Sequence, residues 1–301
     1  MRGLFEMLDY RYQTFLTLTE EMNYTATAKR LHITQPAVTQ HIQYLQQELG
    51  VELIRYENRQ LSLTAKGTQL KKDLYLLQRE ITKVQKQLAS TVEHTTLTFG
   101  ASLTIGEYMM PDLIESYLNQ YPTHDISMVT DNTRHLIELL EHGKIDFALV
   151  EGEFNQSIFE FQKIAEEPFI AVCSEKCSLW KQDQSINDLF STTILVREEG
   201  SGSRLIFETA IKNKGIHLDS FSKVMTIGSI GAIKKLVEKN LGITFVYQKA
   251  VEEELNNGTL KKIPLSDFSV VHPFYLIYLK RIQLKGMETI EKFLRLIERA
   301  E

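Results

Sequence analysis

Between Thr34 and Gln43 the side chains able to make specific contacts are hydroxyls and carboxamides: Thr34, Gln35, Thr39, Gln40 and Gln43, with Pro36 among them. A glutamine amide can hold adenine with two hydrogen bonds, and a threonine methyl packs on the methyl of thymine. An outer helix face of amide and hydroxyl with almost no charge is unusual for a solvated surface and suits base edges. The plainer alternative is a helical hairpin with a polar face. Lys29, Arg30, Arg55 and Arg59 flank this stretch at positions from which cations reach phosphates.

A second set of polar groups lies in three small-residue runs. Gly100 to Gly106 holds Ser102, Thr104 and Ile105; Arg197 to Arg204 holds Ser201, Gly202 and Ser203; Ile227 to Gly231 holds Ser229. Each run follows a predicted strand and opens a predicted helix. Small residues let backbone N–H groups approach a ligand, and helix N-termini favour an anion. Glu151, directly after the predicted strand Phe147 to Val150, is a further candidate and complicates a purely anionic ligand. Each serine or threonine alone is equally readable as an N-cap.

Other chemistry is not visible. The eight histidines are scattered and none forms a metal-binding helix face. Cys173 and Cys177 have no His/Cys partner pair nearby, so a strand-end residue plus a loop thiol is the simpler account. The Gly200 to Ser203 run lacks a phosphate-loop lysine, and no nucleophile has a positioned base. The expected reading has no catalytic residue, no metal and no cofactor. A small-molecule effector, with an anionic metabolite as its candidate class, is the expected ligand.

The elements that must position these groups can be read in order. Residues 1 to 6 precede the pattern, and Met7 is an alternative start. Tyr10 to Met22 predicts a helix with Phe15, Leu18 and Met22 on one face. In a third helix Val38, Ile42, Leu45 and Leu49 recur at i, i+4, i+7 and i+11, with Thr34 as its cap. Glu52 to Arg55 and Gln60 to Leu63 read as a hairpin. From Thr64 to about Val92 the apolar positions Leu70, Leu74, Leu77, Ile81, Val84 and Leu88 alternate spacings of 4 and 3, a heptad seam that expects a partner helix. From Thr96 onward short apolar strands alternate with helical patterns, which implies parallel sheets covered on both faces.

The front segment through residue 94 carries 12 Lys+Arg against 10 Asp+Glu, while the whole chain has a net charge of −5. Contacts to DNA would therefore be local, with a shallow salt dependence per monomer. No apolar run reaches membrane-spanning length, and two cysteines argue against a disulfide framework. Cytoplasmic localisation is the expectation.

The stretch from Asn23 to Gly67 resembles the winged helix-turn-helix of LysR-type transcriptional regulators. The most specific part is Ala28-x-x-Leu31-x-x-Thr34-Gln35-Pro36-Ala37-Val38, followed by Leu45, Glu48, Leu49 and Gly50. The resemblance extends over essentially the whole chain. In the regulatory part, the run Arg197 to Arg204 and the segment Val150 to Glu153 most resemble regulators of carbon fixation and of cysteine metabolism. It implies a DNA-binding domain at 7–66, a dimerisation helix at 67–95, and an α/β effector-binding domain at 96–301. That domain would have two lobes similar to periplasmic binding proteins, lobe I at 96–166 and 268–301 and lobe II at 167–267. The implied partners are dyad-symmetric double-stranded DNA, the chain itself as homodimer and homotetramer, and RNA polymerase. Where many members have Ser-Arg this chain has Thr39-Gln40, which shifts the balance toward base reading. A binding protein that uses its helix-turn-helix only for assembly, or an enzyme built on the α/β lobes, are the alternative classes.

Overall fold

The computed structural model describes residues 9–57, 60–89, 96–280 and 286–300. The chain divides into two compact units, residues 1–94 with 141–144 and residues 95–140 with 145–301.

In the first unit three helices build a small core. Helix α1 (Tyr10–Glu21) starts at Asp9, whose carboxylate accepts the Arg11 N–H, and ends at Met22 in the left-handed region. Met22 is exposed there, so the predicted face consists of Phe15 and Leu18 without it. Helix α2 (Tyr24–Leu31) is capped by Asn23 and closed by His32 at φ 56°. Helix α3 (Gln35–Leu49) is capped by Thr34, carries Pro36 in its first turn where no N–H is needed, and ends at Gly50 with φ 66°. Phe15, Leu18, Ala28, Val38, Ile42 and Leu45 form the centre of this core. Leu49 falls outside it: the last turn of α3 leaves that side chain 40% exposed, although its spacing continues the stripe.

Strands β1 (Ile54–Glu57) and β2 (Gln60–Leu63) pair antiparallel as a hairpin, with Ile54 opposite Leu63. The first strand begins two residues later than the sequence suggests, because Leu53 is buried in the core rather than paired in the hairpin. Gln46 holds this junction: its Oε1 accepts the N–H groups of Leu53 at 2.8 Å and Ile54 at 3.2 Å. Gln46→Ala leaves two backbone donors without that acceptor and should cost about 1–3 kcal/mol. Chemical denaturation of the full-length protein reads this as a lower midpoint for the first unit, and an unchanged midpoint would show that solvent replaces the amide.

Helix α4 (Ala65–Ala89) starts at Thr64, whose hydroxyl accepts the Gly67 N–H at 2.9 Å. Leu74 is buried in the core of the first unit and Leu70 packs beside it. Further along, Leu77 and Val84 are 51% and 46% exposed, and Ile81 is half-buried. The Leu88 side chain lies outside the described residues.

The second unit is built on one nine-stranded sheet. Strand β3 (Thr96–Ser102) leads to α5 (Leu103–Tyr108) and α6 (Met110–Gln120); β4 (Asp125–Asp131) leads to α7 (Thr133–Glu141); then comes β5 (Phe147–Val150). These three strands are parallel, with β3 between the other two. The long strand β6 (Phe159–Ser174) then crosses to a second parallel group. That group is β7 (Thr193–Val196), α8 (Gly202–Lys212), β8 (Lys223–Thr226), α9 (Ile230–Glu238) and β9 (Ile243–Tyr247). After α10 (Glu252–Asn257) and β10 (Leu260–Lys262), strand β11 (Val270–Leu279) returns antiparallel to β6. It pairs with β5 through Leu276 opposite Leu149. The chain closes on α11 (Gly286–Ala300), where Phe293 packs against Phe99 and Phe147 of the first parallel group.

The sheet therefore comprises two α/β lobes joined by two crossover strands, β6 and β11. The second half of β6 pairs with β9, Phe169 opposite Tyr247, while its first half pairs only with β11. The first half of β6 has no apolar run in sequence because its alternation is Phe, Glu, Phe, Gln, Lys, with charged groups on an exposed face. Strand β10 is too short to announce itself.

Candidate functional site

The first unit presents one end of α3 outward. Gln35, Pro36, Gln40 and Gln43 are exposed and Thr39 is half-exposed. Gln35 and Thr39 are one turn apart and coupled: the Thr39 hydroxyl donates to the Gln35 carbonyl at 3.2 Å, and the Gln35 amide donates to the Thr39 hydroxyl at 3.3 Å. The pair is pre-oriented on the helix surface and retains the Gln35 carbonyl oxygen of the amide as a free acceptor face. Thr34 and Pro36 shape the start of the helix through capping.

The cations around α3 differ in their engagements. Lys29 is exposed. Arg30 is held by two carboxylates of α1, Glu20 at 2.8 Å and Glu21 at 2.7 Å. Arg55 pairs with Glu52 and Glu57 along its own stretch of chain, with its side chain 53% exposed. A phosphate would have to compete with those carboxylates, which screened surface pairs permit at small cost. Arg59 lies outside the described residues. His41, a neighbour of the reading face in sequence, turns inward. Its Nδ1 is 2.9 Å from the Thr14 hydroxyl and its ring packs edge-on to Tyr10. Burial and the nearby Arg11 lower its pKa, which disfavours the charged form that would pair with a phosphate.

In the second unit Glu151, just after β5, is 1% exposed and gathers groups from both lobes. Ser102 donates to its Oε2 at 2.7 Å and Thr104 to its Oε1 at 3.2 Å. From the other lobe the Ser203 N–H at the start of α8 also donates to this carboxylate, and the Arg197 guanidinium acts on it by charge. Burial nonetheless dominates and pushes the Glu151 carboxyl up, against the pull of Ser102, Arg197, Thr104 and Ser203 in that order. Gly202 permits the close approach: a Cβ there would lie 2.8 Å from Glu151 Cγ, 3.1 Å from the Gly152 nitrogen and 3.2 Å from Thr133 Oγ1.

Of the residues singled out in the sequence, Ser102, Thr104, Glu151, Gly202 and Ser203 meet here, and Ser201 joins through its hydroxyl, 2.9 Å from that of Ser203. Two others do not. Ile105 is fully buried in the hydrophobic core with Phe99 and Met110, because the first turn of α5 directs it under the sheet. Ser229 acts as an ordinary N-cap, accepting the Ala232 N–H at 3.2 Å, and its loop adjoins Glu198 instead. Three groups were missed. Among the described residues, five buried side-chain atoms lack a hydrogen-bond partner, and three of them belong to residues that lie beside Glu151 or act on it by charge: Thr133 Oγ1, Arg197 Nη1 and Tyr247 Oη. Arg197 holds Glu198 through Nε and Nη2 at 2.8 and 2.9 Å, which leaves Nη1 over. The flanking pattern named the Arg197 loop, but nothing local to Thr133 or Tyr247 distinguishes them.

The cysteines are in contact with each other, and burial pushes the Cys173 thiol up to about 12. Such a thiol is not a reactive thiolate. Among the described residues no group of three or more His, Cys, Asp or Glu is placed to hold a metal, and no helix is long and apolar enough to cross a membrane.

A winged helix-turn-helix followed by a two-lobed α/β domain with a polar cluster between the lobes defines a ligand-responsive DNA-binding protein. Residues 10–68 match the bacterial regulatory helix-turn-helix protein, lysR family, and residues 90–300 match the LysR substrate binding domain. The chain belongs to the LysR family of DNA-binding transcriptional regulators. It is 30% identical to a probable RuBisCO transcriptional regulator of Emiliania huxleyi over 285 residues, 92% of this chain and 90% of that one. Its fold is similar to full-length LysG of Corynebacterium glutamicum with bound effector Arg, at a TM-score of 0.67, 14% identity, and coverage of 96% and 97%. It is also similar to the Synechocystis CcmR regulatory domain in complex with 2-PG, at 0.60 and 19%, covering 68% of this chain and 98% of that domain. The family consists of regulators with an effector-binding domain, not of enzymes.

Proposed function

We propose that the outer face of α3 reads base edges through Gln35, Thr39, Gln40 and Gln43, and that the groups around Glu151 bind the effector. The observation that carries the second half is the convergence of Thr133 Oγ1, Arg197 Nη1 and Tyr247 Oη, buried and unpartnered, on one side chain between the lobes. Buried polar groups without partners are rare, and three in one place fit a ligand. Lys29, Arg30 and Arg55, with Arg59, position the protein on phosphates.

Domain limits near 7–66, 67–95 and 96–301 follow from this division of labour. So do lobe limits at 96–166 with 268–301 and at 167–267. Leu77 and Val84, exposed on the heptad seam of α4, support a helix-to-helix homodimer and hence a dyad-symmetric DNA site. Pairing of such dimers gives the homotetramer, and contact with RNA polymerase belongs to the same role, in the cytoplasm. A relative named for RuBisCO regulation and a structural neighbour bound to 2-PG favour a small anionic metabolite as effector. A ligand shifts such a protein only through different affinities for its two arrangements.

Selection of sheared genomic DNA by the full-length protein, followed by sequencing, tests the reading. A shared dyad motif is expected. Gln35→Ala should weaken discrimination at one base position of each half-site by about 1–3 kcal/mol while folding is retained. Unchanged preference in that variant would remove Gln35 from base reading.

A further inference from the structure

The groups around Glu151 contain a contradiction in charge. The unpartnered atoms are donors or can donate: the Arg197 Nη1 hydrogens and the hydroxyls of Thr133 and Tyr247. The N-terminus of α8 points at the same place, and its N-cap Ser201 makes no side-chain capping bond. A set rich in donors selects an anion. Yet Glu151, wholly buried, stands in the middle of it. Arg197 cannot offset an incoming anion, because Glu198 already balances its charge at 2.8 Å. With Glu151 ionised the cluster carries one net negative charge before any anion arrives. Burying a second negative charge beside the first is strongly unfavourable, and one of the two must be neutralised.

We propose that the cleft binds a small oxyanion together with a proton, and that Glu151 is the group that takes the proton up. This rests on the cleft around Glu151 being the effector site. The protonated carboxyl becomes a hydrogen-bond donor to the ligand in place of a repelling charge. The groups that touch Glu151 or act on it by charge fit that role. The start of α5 offers the Ser102 and Thr104 hydroxyls, and the end of β7 offers Arg197 with Glu198. The start of α8 offers the Ser203 N–H. The end of β9 offers Tyr247, whose hydroxyl also feels the charge of Glu167. The start of α7 contributes Thr133, beside Gly202. Burial keeps Tyr247 protonated, and the other carboxylate, Glu198, has both oxygens engaged by the Arg197 guanidinium. Burial moves the Glu151 carboxyl upward, the direction that favours taking up the proton.

The sign follows from linkage: a site that gains a proton on binding gains affinity as pH falls. A cationic ligand paired with an ionised Glu151 would do the reverse. Isothermal titration calorimetry of the full-length protein with sodium sulfate tests this at constant ionic strength. Sulfate keeps its charge throughout the working range, so any proton taken up belongs to the protein. Titrations at pH 7.5 in two buffers of different ionisation heat should show net proton uptake with sulfate, and affinity should fall as pH rises from 6 to 8. Glu151→Gln, which keeps the shape and supplies a neutral donor, should bind sulfate with no proton uptake and with the same affinity at both pH values. Thr133→Val and Tyr247→Phe separate the two levels of the argument. Sulfate binding undiminished in both variants would place the anion elsewhere and overturn the assignment of the cleft. Binding weakened in both, but without proton uptake by the wild type or with equal uptake in Glu151→Gln, would overturn the proton coupling alone. Absence of sulfate binding at pH 6 would overturn the oxyanion class.

Discussion

Gly67→Ala should unfold the winged-helix unit or come close to it, although on helix propensity alone the change is favourable. Alanine in place of glycine within a helix gains about 0.5–1 kcal/mol. Here the new Cβ would lie 2.0 Å from the Leu53 carbonyl oxygen and 2.9 Å from its carbon, with Leu63 Cδ2 at 3.2 Å. The nearest atoms are backbone, and that backbone is held from several directions. The Leu53 carbonyl accepts the Thr64 N–H at 3.0 Å and its hydroxyl at 3.3 Å, while the Leu53 N–H is tied to Gln46. Relief requires α4 to move away from the β1 junction, which separates Leu74 from Ile42 and Leu45 in the same core. Overpacking of a held site costs roughly 1–3 kcal/mol and occasionally more, and a backbone clash belongs at the upper end. A loss of about 3 kcal/mol exceeds the propensity gain and is a large part of the stability of a unit this size. The thermal transition of the first unit should fall by roughly 12–24 °C, at about 4–8 °C per kcal/mol. Sequence-selective DNA binding at 37 °C should be lost with it. A variant that melts with the wild type would show that α4 can shift freely against the hairpin.

Gly202→Val acts at the other site. Its Cβ would meet Glu151 Cγ at 2.8 Å and the Gly152 nitrogen at 3.1 Å, and the two further methyl groups need still more room. Glu151 cannot swing aside cheaply, because both carboxylate oxygens are bonded within a buried pocket. The lobes must therefore stay apart at α8. The Ser203 N–H, the Ser201 hydroxyl and Arg197 are then withdrawn from the ligand, so sulfate affinity should fall at least about tenfold, the loss of one good hydrogen bond to a charged group. DNA binding by the first unit should persist while the effector response disappears. Sulfate titration and a footprint on the selected DNA site measure the two halves separately. Wild-type sulfate affinity in this variant would exclude the approach of Gly202 to Glu151 from the mechanism.

Gly202 stood out in sequence as part of a small-residue run, whereas nothing in the linear pattern announces the close approach at Gly67. Local features were readable because their causes are local. The cap at Thr34 and the stripe of Val38, Ile42 and Leu45 depend on residues within one or two turns. The strands of the parallel groups were readable for the same reason, since fully buried segments such as Phe147–Val150 are continuous apolar runs. The family pattern supplied the two-lobed plan and the loops that carry Ser102, Ser201 and Ser203.

The tertiary structure decided what local periodicity cannot express. Leu49 continues the α3 stripe yet is exposed, because the core ends before the helix does. Gln46 looks like another outward amide but is spent on the backbone of Leu53 and Ile54. Ile105 sits in a ligand-type loop but points into the lobe core, whereas Thr133 and Tyr247 stand in unremarked sequence and reach the cleft. Ser102 and Glu151 are 49 residues apart, and Arg197 joins them from the other lobe. Such meetings are fixed by strand order and by the return of β11 to β5, and hydrogen-bond partners that distant leave no spacing rule in the chain. The amino-acid sequence by itself determined which segments fold and which face of α3 is polar. Only the packing of two lobes through β6 and β11 determined that one buried carboxylate would stand among donors drawn from both, since that depends on where distant strand ends come together.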